Sequence, residues 1–304
     1  MKNINKTLTL FKTQKGAALM LVLWVMVVLC AIAAEFIYSM RTEIKIVTNY
    51  KEDTKAYYGA IAGIEFAKAE IKDPKTFLFR DSNDKIVNVN NIYKRKGMID
   101  DVEFSYQLYD EDGKLNINTA TPDKLRLLFT FAGVGQDKSV DIIDSILDWI
   151  DKDNNHRING AEEDYYIALK TPYSCKDGSI DTIEELLLVK GMTPEFLYGK
   201  TGDSEIKGIA QYITAADTRE ININTADRDV LSIALGSEAA KNILIKRQNG
   251  PIIEPVAGGA VQSRFFTVTS TGKLGRIKRT IKTIIELKKD DLIVRYWNDN
   301  WIEG

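Results

Sequence analysis

The densest group of oxygen-bearing side chains in this 304-residue sequence lies between residues 148 and 166. Counted from Asp151, oxygen donors stand at the EF-hand ligand positions, and these donors are Asp151, Asp153, Asn155, the main-chain carbonyl of Arg157, and Glu162. An EF-hand loop surrounds a Ca²⁺ ion with about six to eight oxygens. The segment therefore predicts a calcium site. Glu163 and Asp164 follow directly and are predicted to serve the same ion or a second one nearby.

The loop departs from the EF-hand pattern at position 6, where His156 replaces the usual Gly. Histidine is among the non-glycine residues that tolerate a positive φ. A solvated acidic turn that ends in a helix N-cap is the alternative interpretation. Mg²⁺ fits less well, because it prefers octahedral geometry with several waters. The expected role of one or two calcium ions is structural, since they would hold a long loop whose closure costs entropy.

Few residues are suited to catalysis. The sequence has one histidine, His156, and two cysteines, Cys30 and Cys175, which are expected to be free thiols because Cys30 lies in an apolar run. A Ser-His-Asp triad and a zinc site of the usual His/Cys kind are therefore disfavoured. Neither a nucleophile–base pair nor a phosphate-binding loop stands out, so we predict that the protein is not an enzyme. The net charge of −2 gives no general attraction to nucleic acid.

The N-terminal region has the composition of a membrane anchor. Residues 1–16 are polar and basic, and residues 17–34 contain no charged side chain. At about 1.5 Å per residue, a helix of this apolar length just spans a bilayer core of about 30 Å. The alternative is a secretory signal peptide, which has a shorter apolar region with a small-residue cleavage site behind it. The basic residues before the run predict a cytoplasmic N-terminus.

The same helix is predicted to continue well beyond the membrane. Residues 35–58 contain no Pro or Gly, and their apolar side chains lie close to one helical face. The period continues to Asp73-Pro74, which ends it. The sequence therefore predicts one helix of about 55 residues, too long for an ordinary globular element.

Strand patterns follow at two separated places. Residues 102–109 alternate apolar and polar side chains, and so do residues 265–270, with a further strand predicted at 277–287 after a turn. These strands are expected to pack on the amphipathic half of the long helix. Between them, from about residue 115 to 249, the pattern is helical.

The helical region contains an Asn-x-Asn-Thr-Ala motif twice, at residues 116–120 and 222–226. Each copy is followed by a predicted helix, and the first also by Gly133 and Gly135, as in a helix-hairpin-helix element. DNA-binding versions of that element bind a phosphate through main-chain N–H groups. Residues 116–175, however, hold six basic and ten acidic side chains, the wrong balance for phosphate. A scaffold role is therefore favoured, and no nucleic-acid partner is expected.

The basic segment ending in Lys15-Gly16, followed by Ala17-Ala18-Leu19 and a long helix, resembles type IV pilin-like precursors. The resemblance implies that a prepilin peptidase cleaves between Gly16 and Ala17. Most pilins carry Glu as the fifth mature residue, where this sequence has Leu21. A carboxylate inside a bilayer is retained where it has a partner, such as the amine of a neighbouring subunit. In lacking this Glu and in having a helical insert, the sequence resembles K-type minor pseudopilins of type II secretion.

That resemblance implies an α+β fold, with a pilin-like N-terminal helix on a small antiparallel sheet and a large all-α (helix-hairpin-helix/SAM-like) domain inserted between strands. The expected parts are a leader peptide at 1–16, a transmembrane segment at 17–38, pilin-like regions at 39–112 and 251–304, and a calcium-binding insert at 113–250. The family's calcium maps onto the acidic loop described above.

The implied function is to initiate and cap the tip of the periplasmic pseudopilus that drives protein secretion across the outer membrane. The implied partners are the I, J and H minor pseudopilins, the major pseudopilin, prepilin peptidase and inner-membrane lipid. The protein would be single-pass in the inner membrane, with its soluble domain in the periplasm. A minor pilin of a type IV pilus or DNA-uptake system, a calcium-dependent adhesin and an unprocessed single-span protein are the alternatives.

Overall fold

A computed structural model describes residues 5–73, 78–80, 86–87, 94–201, 206–254, 256–289 and 291–301. Its helices are α1 (Asn5–Lys72), α2 (Pro122–Phe131), α3 (Gln136–Ile150), α4 (Glu163–Ile167), a 3₁₀ helix (Ile183–Leu188), α5 (Pro194–Tyr198), α6 (Arg228–Leu235) and α7 (Ser237–Arg247). Its strands are β1 (Phe79–Arg80), β2 (Ile86–Val87), β3 (Lys94–Ile99), β4 (Val102–Asp110), β5 (Leu115–Asn116), β6 (Ile213–Thr214), β7 (Ile221–Asn222), β8 (Gly259–Ala260), β9 (Phe265–Leu274), β10 (Ile277–Lys288) and β11 (Asp291–Asn298). Pro74, the predicted helix stop, lies outside the described residues.

The long helix is present and extends further toward the N-terminus than predicted. Helix α1 has 68 residues, against an expectation of about 55. It runs through Gly16, because a single glycine costs a helix only about 1 kcal/mol and does not break it. The part from residue 16 onward includes a stretch with mean hydropathy 2.8, long and apolar enough to cross a membrane, and none of that stretch is buried in the chain.

Five strands form one antiparallel sheet in the order β11-β10-β9-β4-β3. The three predicted strands correspond to β4, β9 and β10, but the two outer strands were not predicted. Strand β3, with the sequence Lys-Arg-Lys-Gly-Met-Ile, lacks apolar alternation because it lies at an edge, where charged side chains are common. At the other edge, β11 brings the C-terminal aromatic residues onto β10, with Thr283 opposite Trp297.

Only the last turns of α1 pack against this sheet. The helix buries Ala56, Ala60, Ile64, Ala67 and Ile71 against β4, β9 and β10. A Cβ at Gly272 of β9 would collide with the main chain of α1 at Ala56 and Ala60. Ser270 Oγ donates to the Ala60 carbonyl at 2.7 Å, and Arg279 binds the carboxylate of Asp53 through two hydrogen bonds of 2.7 Å.

The apolar side chains between residues 36 and 50 do not reach the sheet and are exposed, contrary to the expectation that the whole amphipathic half would pack on it. Phe36 is 65% exposed and Tyr50 is 74% exposed. A five-stranded sheet is only about 20–25 Å wide, so it covers a limited length of helix. The remaining part of the rod carries an apolar surface without a partner in the described chain.

The helical domain is one long connection between neighbouring strands. Strand β4 ends at Asp110, which pairs with Phe266 of β9, and the Glu111 N–H donates to the Phe265 carbonyl at 2.9 Å. Residues 111–264 therefore leave and re-enter the sheet at the same point. Gly272 of β9 lies against Ala56 and Ala60 of α1, whereas Ser270, two residues earlier in β9, lies against Ala60 and Gly63. The start of β9 therefore lies at the end of the sheet farthest from the apolar part of α1.

The two copies of the Asn-x-Asn-Thr-Ala motif make the same contacts. In each copy the first Asn accepts a hydrogen bond of 2.9 Å from the main chain two residues later. The second Asn then joins two loops, Asn118 through the main chain of Ile180 and Ala215, and Asn224 through that of Ile252 and Val261. The first Asn of each motif is also the last residue of a short strand, and these strands form two parallel pairs, β5 with β6 and β7 with β8. The prediction of an all-α insert did not include them.

Three buried acids at the end of β4 link the insert to the sheet. Asp110 accepts from Asn222 Nδ2 at 2.8 Å, and Glu111 accepts from Thr214 Oγ1 at 2.6 Å and from Thr267 Oγ1 at 2.8 Å. Asp112 accepts from the main-chain N–H groups that open β9, at 2.6 and 2.7 Å. The insert is thus attached through hydrogen bonds to ionisable groups rather than through apolar contacts alone.

Candidate metal centre

The acidic loop is held at both ends by an aromatic cluster. Helix α3 presents Trp149 one residue before its end, and α4 presents Tyr166 directly after the loop. Their rings meet edge to face at 5.0 Å, and Trp149 Nε1 donates to Glu185 at 2.9 Å. Within the loop, a Cβ at Gly160 would collide with the buried carboxylate of Asp148. Only glycine therefore permits this close approach of the loop to α3.

Three predicted ligands converge. Carboxylate oxygens of Asp151, Asp153 and Glu162 lie within 4.8 Å of one another. Oxygen ligands bind Ca²⁺ at about 2.3–2.6 Å, so two ligands on opposite sides of one ion are about 4.6–5.2 Å apart. The three carboxylates are therefore close enough together to bind one calcium ion.

The carboxylate of Glu162 is the strongest sign that a cation belongs here. Glu162 is 1% exposed, and neither carboxylate oxygen has a hydrogen-bond partner among the described residues. A buried ionised carboxylate without a partner is costly. Burial raises the pKa of Glu162 to about 7, and the neighbouring charges of Asp148, Asp151 and Asp177 add to the rise. A divalent ion would remove this cost, so the residues fit calcium.

Arg157 contributes differently from the prediction. Its main-chain carbonyl accepts a turn hydrogen bond from Gly160 at 3.1 Å, which leaves one lone pair for an ion. Its guanidinium binds Asp148 at 2.5 Å and Asp151 at 2.6 Å. Part of the negative charge is therefore already balanced by an arginine that the sequence pattern did not assign to this task.

The other predicted ligands lie around the three carboxylates. The main-chain N–H of Asn155 donates to Asp153 Oδ1 at 2.9 Å and helps to orient that carboxylate. Glu163 accepts from the Cys175 N–H at 2.6 Å, and Asp164 pairs with His156 at 2.9 Å on the exposed side. The last two acids thus have partners of their own in this structure.

Sequence reasoning missed Asp148, Cys175 and Asp177. Asp148 is fully buried and lies one helical turn before Asp151, a spacing that an inspection of α3 could have found. The Cys175 thiol and the Asp177 carboxylate come within 4.8 Å of Glu162. They reach it from the loop beyond α4, so no local sequence pattern connects them to the acidic loop.

Comparison with known proteins shows similarity to one family. The model of the family described as type II secretion system (T2SS), protein K matches residues 86–198, which include β3, β4 and the acidic loop. The chain is 22% identical to type II secretion system protein K of Pseudomonas aeruginosa over 92% of this chain and 91% of that relative. For Aeromonas hydrophila protein K the values are 26%, 78% and 76%. A putative protein K of Escherichia coli K12 is 24% identical over 69% of this chain and 65% of the relative.

A solved structure shares the fold. A chain of the GspK-GspI-GspJ complex from the enterotoxigenic Escherichia coli type 2 secretion system aligns with a TM-score of 0.58 and 16% identity, covering 85% of this chain and 98% of that chain. The expected α+β fold with a long N-terminal helix and an antiparallel sheet is therefore confirmed. Over most of its length the chain is therefore similar to type II secretion system protein K, and the match to the family model covers residues 86–198.

Proposed function

We propose that this protein is a minor pseudopilin of type II secretion that initiates the periplasmic pseudopilus and caps its tip, in support of protein secretion across the outer membrane. The observation that carries the proposal is the position of the insert. Residues 111–264 join β4 to β9 at the end of the sheet farthest from the apolar part of α1. A domain of this size above the sheet would obstruct the addition of a further subunit on that side.

The exposed rod supports the assembly part of the proposal. Large apolar side chains on α1 remain exposed after the apolar run, including Phe36, Met40, Val47 and Tyr50. Exposed apolar surface of this extent is typical of interaction sites. Helices of the I, J and H minor pseudopilins and of the major pseudopilin would cover it, and the first part of α1 would lie in inner-membrane lipid. The solved relative, a complex of GspK with GspI and GspJ, is consistent with such partners.

The insert can be removed cleanly, which allows a direct test of capping. Because Asp110 and Phe266 are paired residues of neighbouring antiparallel strands, a short turn can replace residues 111–264. Native mass spectrometry of detergent-extracted assemblies with the partner pseudopilins should find one copy of the intact chain per assembly and more than one copy of the shortened chain. More than one intact copy per assembly would contradict capping, as would a single copy of the shortened chain.

The membrane arrangement follows from the same helix. Prepilin peptidase would cleave between Gly16 and Ala17, leaving α1 as a single-pass anchor with the soluble domains in the periplasm. The leader before the cut would be cytoplasmic, since basic residues stay on that side. The role proposed here is structural rather than enzymatic.

We also propose that calcium stabilises the insert. The ligands would be Asp151, Asp153, Glu162 and the carbonyl of Arg157, with Asn155 orienting or completing the set. Calcium would supply the positive charge that the buried carboxylate of Glu162 lacks. Its removal should lower the melting temperature of the insert, and an unchanged melting temperature on chelation would count against the site.

A further inference from the structure

A cavity of about 530 Å³ lies between the insert and the sheet. One wall is the face of the sheet turned away from α1, where Thr269 of β9 and Lys282 of β10 are paired residues. Their neighbours Val268 and Ile281 pack on α1, and successive side chains of a strand point to opposite faces. The facing wall belongs to the insert and includes Glu184 of the 3₁₀ helix. The cavity therefore exists only because the insert folds back over the sheet.

Four aromatic side chains line the cavity. Tyr109 and Tyr296 come from the sheet, Tyr212 comes from the insert, and Trp301 follows the last strand. Sites for small molecules have volumes of about 300–1,000 Å³ and are lined by aromatic and apolar side chains, with a few polar groups that fix the orientation of the ligand. The volume and the lining of this cavity therefore suit a small molecule with an apolar part.

Two charged side chains of opposite sign face this cavity without a direct partner. Lys282 Nζ lies 4.0 Å from the centre of the Trp301 ring, but it forms no hydrogen bond or ion pair with the residues that the structure describes, and neither does the carboxylate of Glu184. Burial lowers the pKa of Lys282, and the charge of Glu184 opposes that fall. The other charged side chains that line the cavity do have polar partners, and they are Arg80, Asp110, Glu111, Lys114, Asp181 and Asp227.

We propose that the cavity binds a free amino acid or short peptide with an apolar side chain. The ammonium group of the ligand would bind Glu184, its carboxylate would bind Lys282, and its side chain would pack against the aromatic rings. Hydrogen bonds between ionised groups are stronger than those between neutral groups, and a zwitterion supplies one to each free charge. Because Glu184 belongs to the insert and Lys282 to the sheet, the ligand would also join these two parts. The inference depends neither on the proposed role at the pseudopilus tip nor on calcium.

The test is isothermal titration of the full chain in detergent micelles with the dipeptide glycyl-phenylalanine, with empty micelles as the blank. This dipeptide has about 16 non-hydrogen atoms, so at the binding efficiency of drug-sized ligands its Kd should be on the order of 0.1–1 mM. Its N-acetyl derivative lacks the ammonium group, and its C-terminal amide lacks the carboxylate. Each derivative should bind about tenfold more weakly or worse, because one buried charge of the cavity then stays unpaired.

Two substitutions assign the charged groups. Glu184→Gln should bind the dipeptide and its N-acetyl derivative about equally, and Lys282→Met should bind the dipeptide and its amide about equally. The matched control is Lys200→Met, which removes a lysine outside the cavity and should keep the native affinity. No binding at about ten times the expected Kd, equal binding of all three ligands, or native selectivity in both cavity variants would overturn the proposal. The two derivatives test the native chain directly, so the result does not depend on the folding of a variant.

Discussion

Replacing Glu162 with Gln separates the cost of a buried carboxylate from its benefit as a metal ligand. Glutamine has nearly the same shape but no charge. Burial raises the pKa of Glu162 from an ordinary value of 4.5 to about 7, so the folded protein without metal holds the proton more tightly than the unfolded chain does. Its favourable contribution to stability is complete below about pH 4.5 and is lost as the pH rises through about 7.

The size of the effect follows from the shift. One pKa unit corresponds to about 1.4 kcal/mol, so the ionised carboxylate lowers the free energy of unfolding by roughly 3 kcal/mol at pH 8. About 2–3 kcal/mol of this loss develops between pH 5 and pH 8. In chelator at pH 8, Glu162→Gln should therefore raise the melting temperature by about 6–12 °C. At pH 5 the two proteins should melt at nearly the same temperature.

Calcium should reverse this order. At about 1,000 times its Kd the ion stabilises the native protein by about 4.1 kcal/mol, which exceeds the cost of roughly 3 kcal/mol, and the variant lacks the charged ligand that binds the ion. Thermal unfolding of the full chain in micelles, followed by tryptophan fluorescence, measures both conditions. The buried carboxyl of Asp110 also has a pKa raised to about 7 by burial and by Asp112, but this contribution is the same in both proteins and cancels in their difference. A variant no more stable than the native protein in chelator at pH 8 would refute the reasoning.

Three further substitutions test other parts of the structure. Gly272→Ala should destabilise the pilin-like domain by about 3 kcal/mol or more in denaturant unfolding, because its Cβ would collide with the main chain of α1. Gly178→Ala is the control and should change stability by less than about 1 kcal/mol, because its Cβ would meet only one ordinary contact, at 3.7 Å. Equal effects would contradict the packing described. Asn222→Ala should lower the free energy of unfolding by about 2–3 kcal/mol, because it removes a hydrogen-bond donor from the buried Asp110. A change near zero would show that this hydrogen bond does not stabilise the attachment of the insert to the sheet. Gly16→Leu should leave an uncleaved precursor by mass spectrometry, and normal processing would exclude the proposed leader.

The packing of the rod shows where sequence patterns reach their limit. The apolar period from residue 36 onward predicted one continuous amphipathic helix, and α1 is continuous. The period could not show that only the part near Ala56 to Ile71 would be covered by the sheet. Helical periodicity reports which side chains share a face, but the width of the sheet decides how much of that face is buried.

The edge strands show a related limit. Strands β4, β9 and β10 lie inside the sheet or pack on α1, so their alternation is strong, and the sequence predicted them. Strand β3 is basic and lies at an edge, where hydrogen bonds to one neighbour suffice without a buried face. Its pairing with β4 is a property of the assembled sheet, and no pattern within its own six residues indicated it.

By itself the sequence determined the elements whose signals are local: the apolar rod, the alternating strands, the two motif copies and the spacing of Asp151, Asp153 and Glu162 along one loop. Tertiary structure alone decided that the insert leaves and returns between paired residues of β4 and β9, and that Cys175 and Asp177 approach Glu162. The reason is physical, because a local pattern follows from the geometry of neighbouring residues. Convergence of distant donors depends on how the aromatic and apolar core of the insert closes around them.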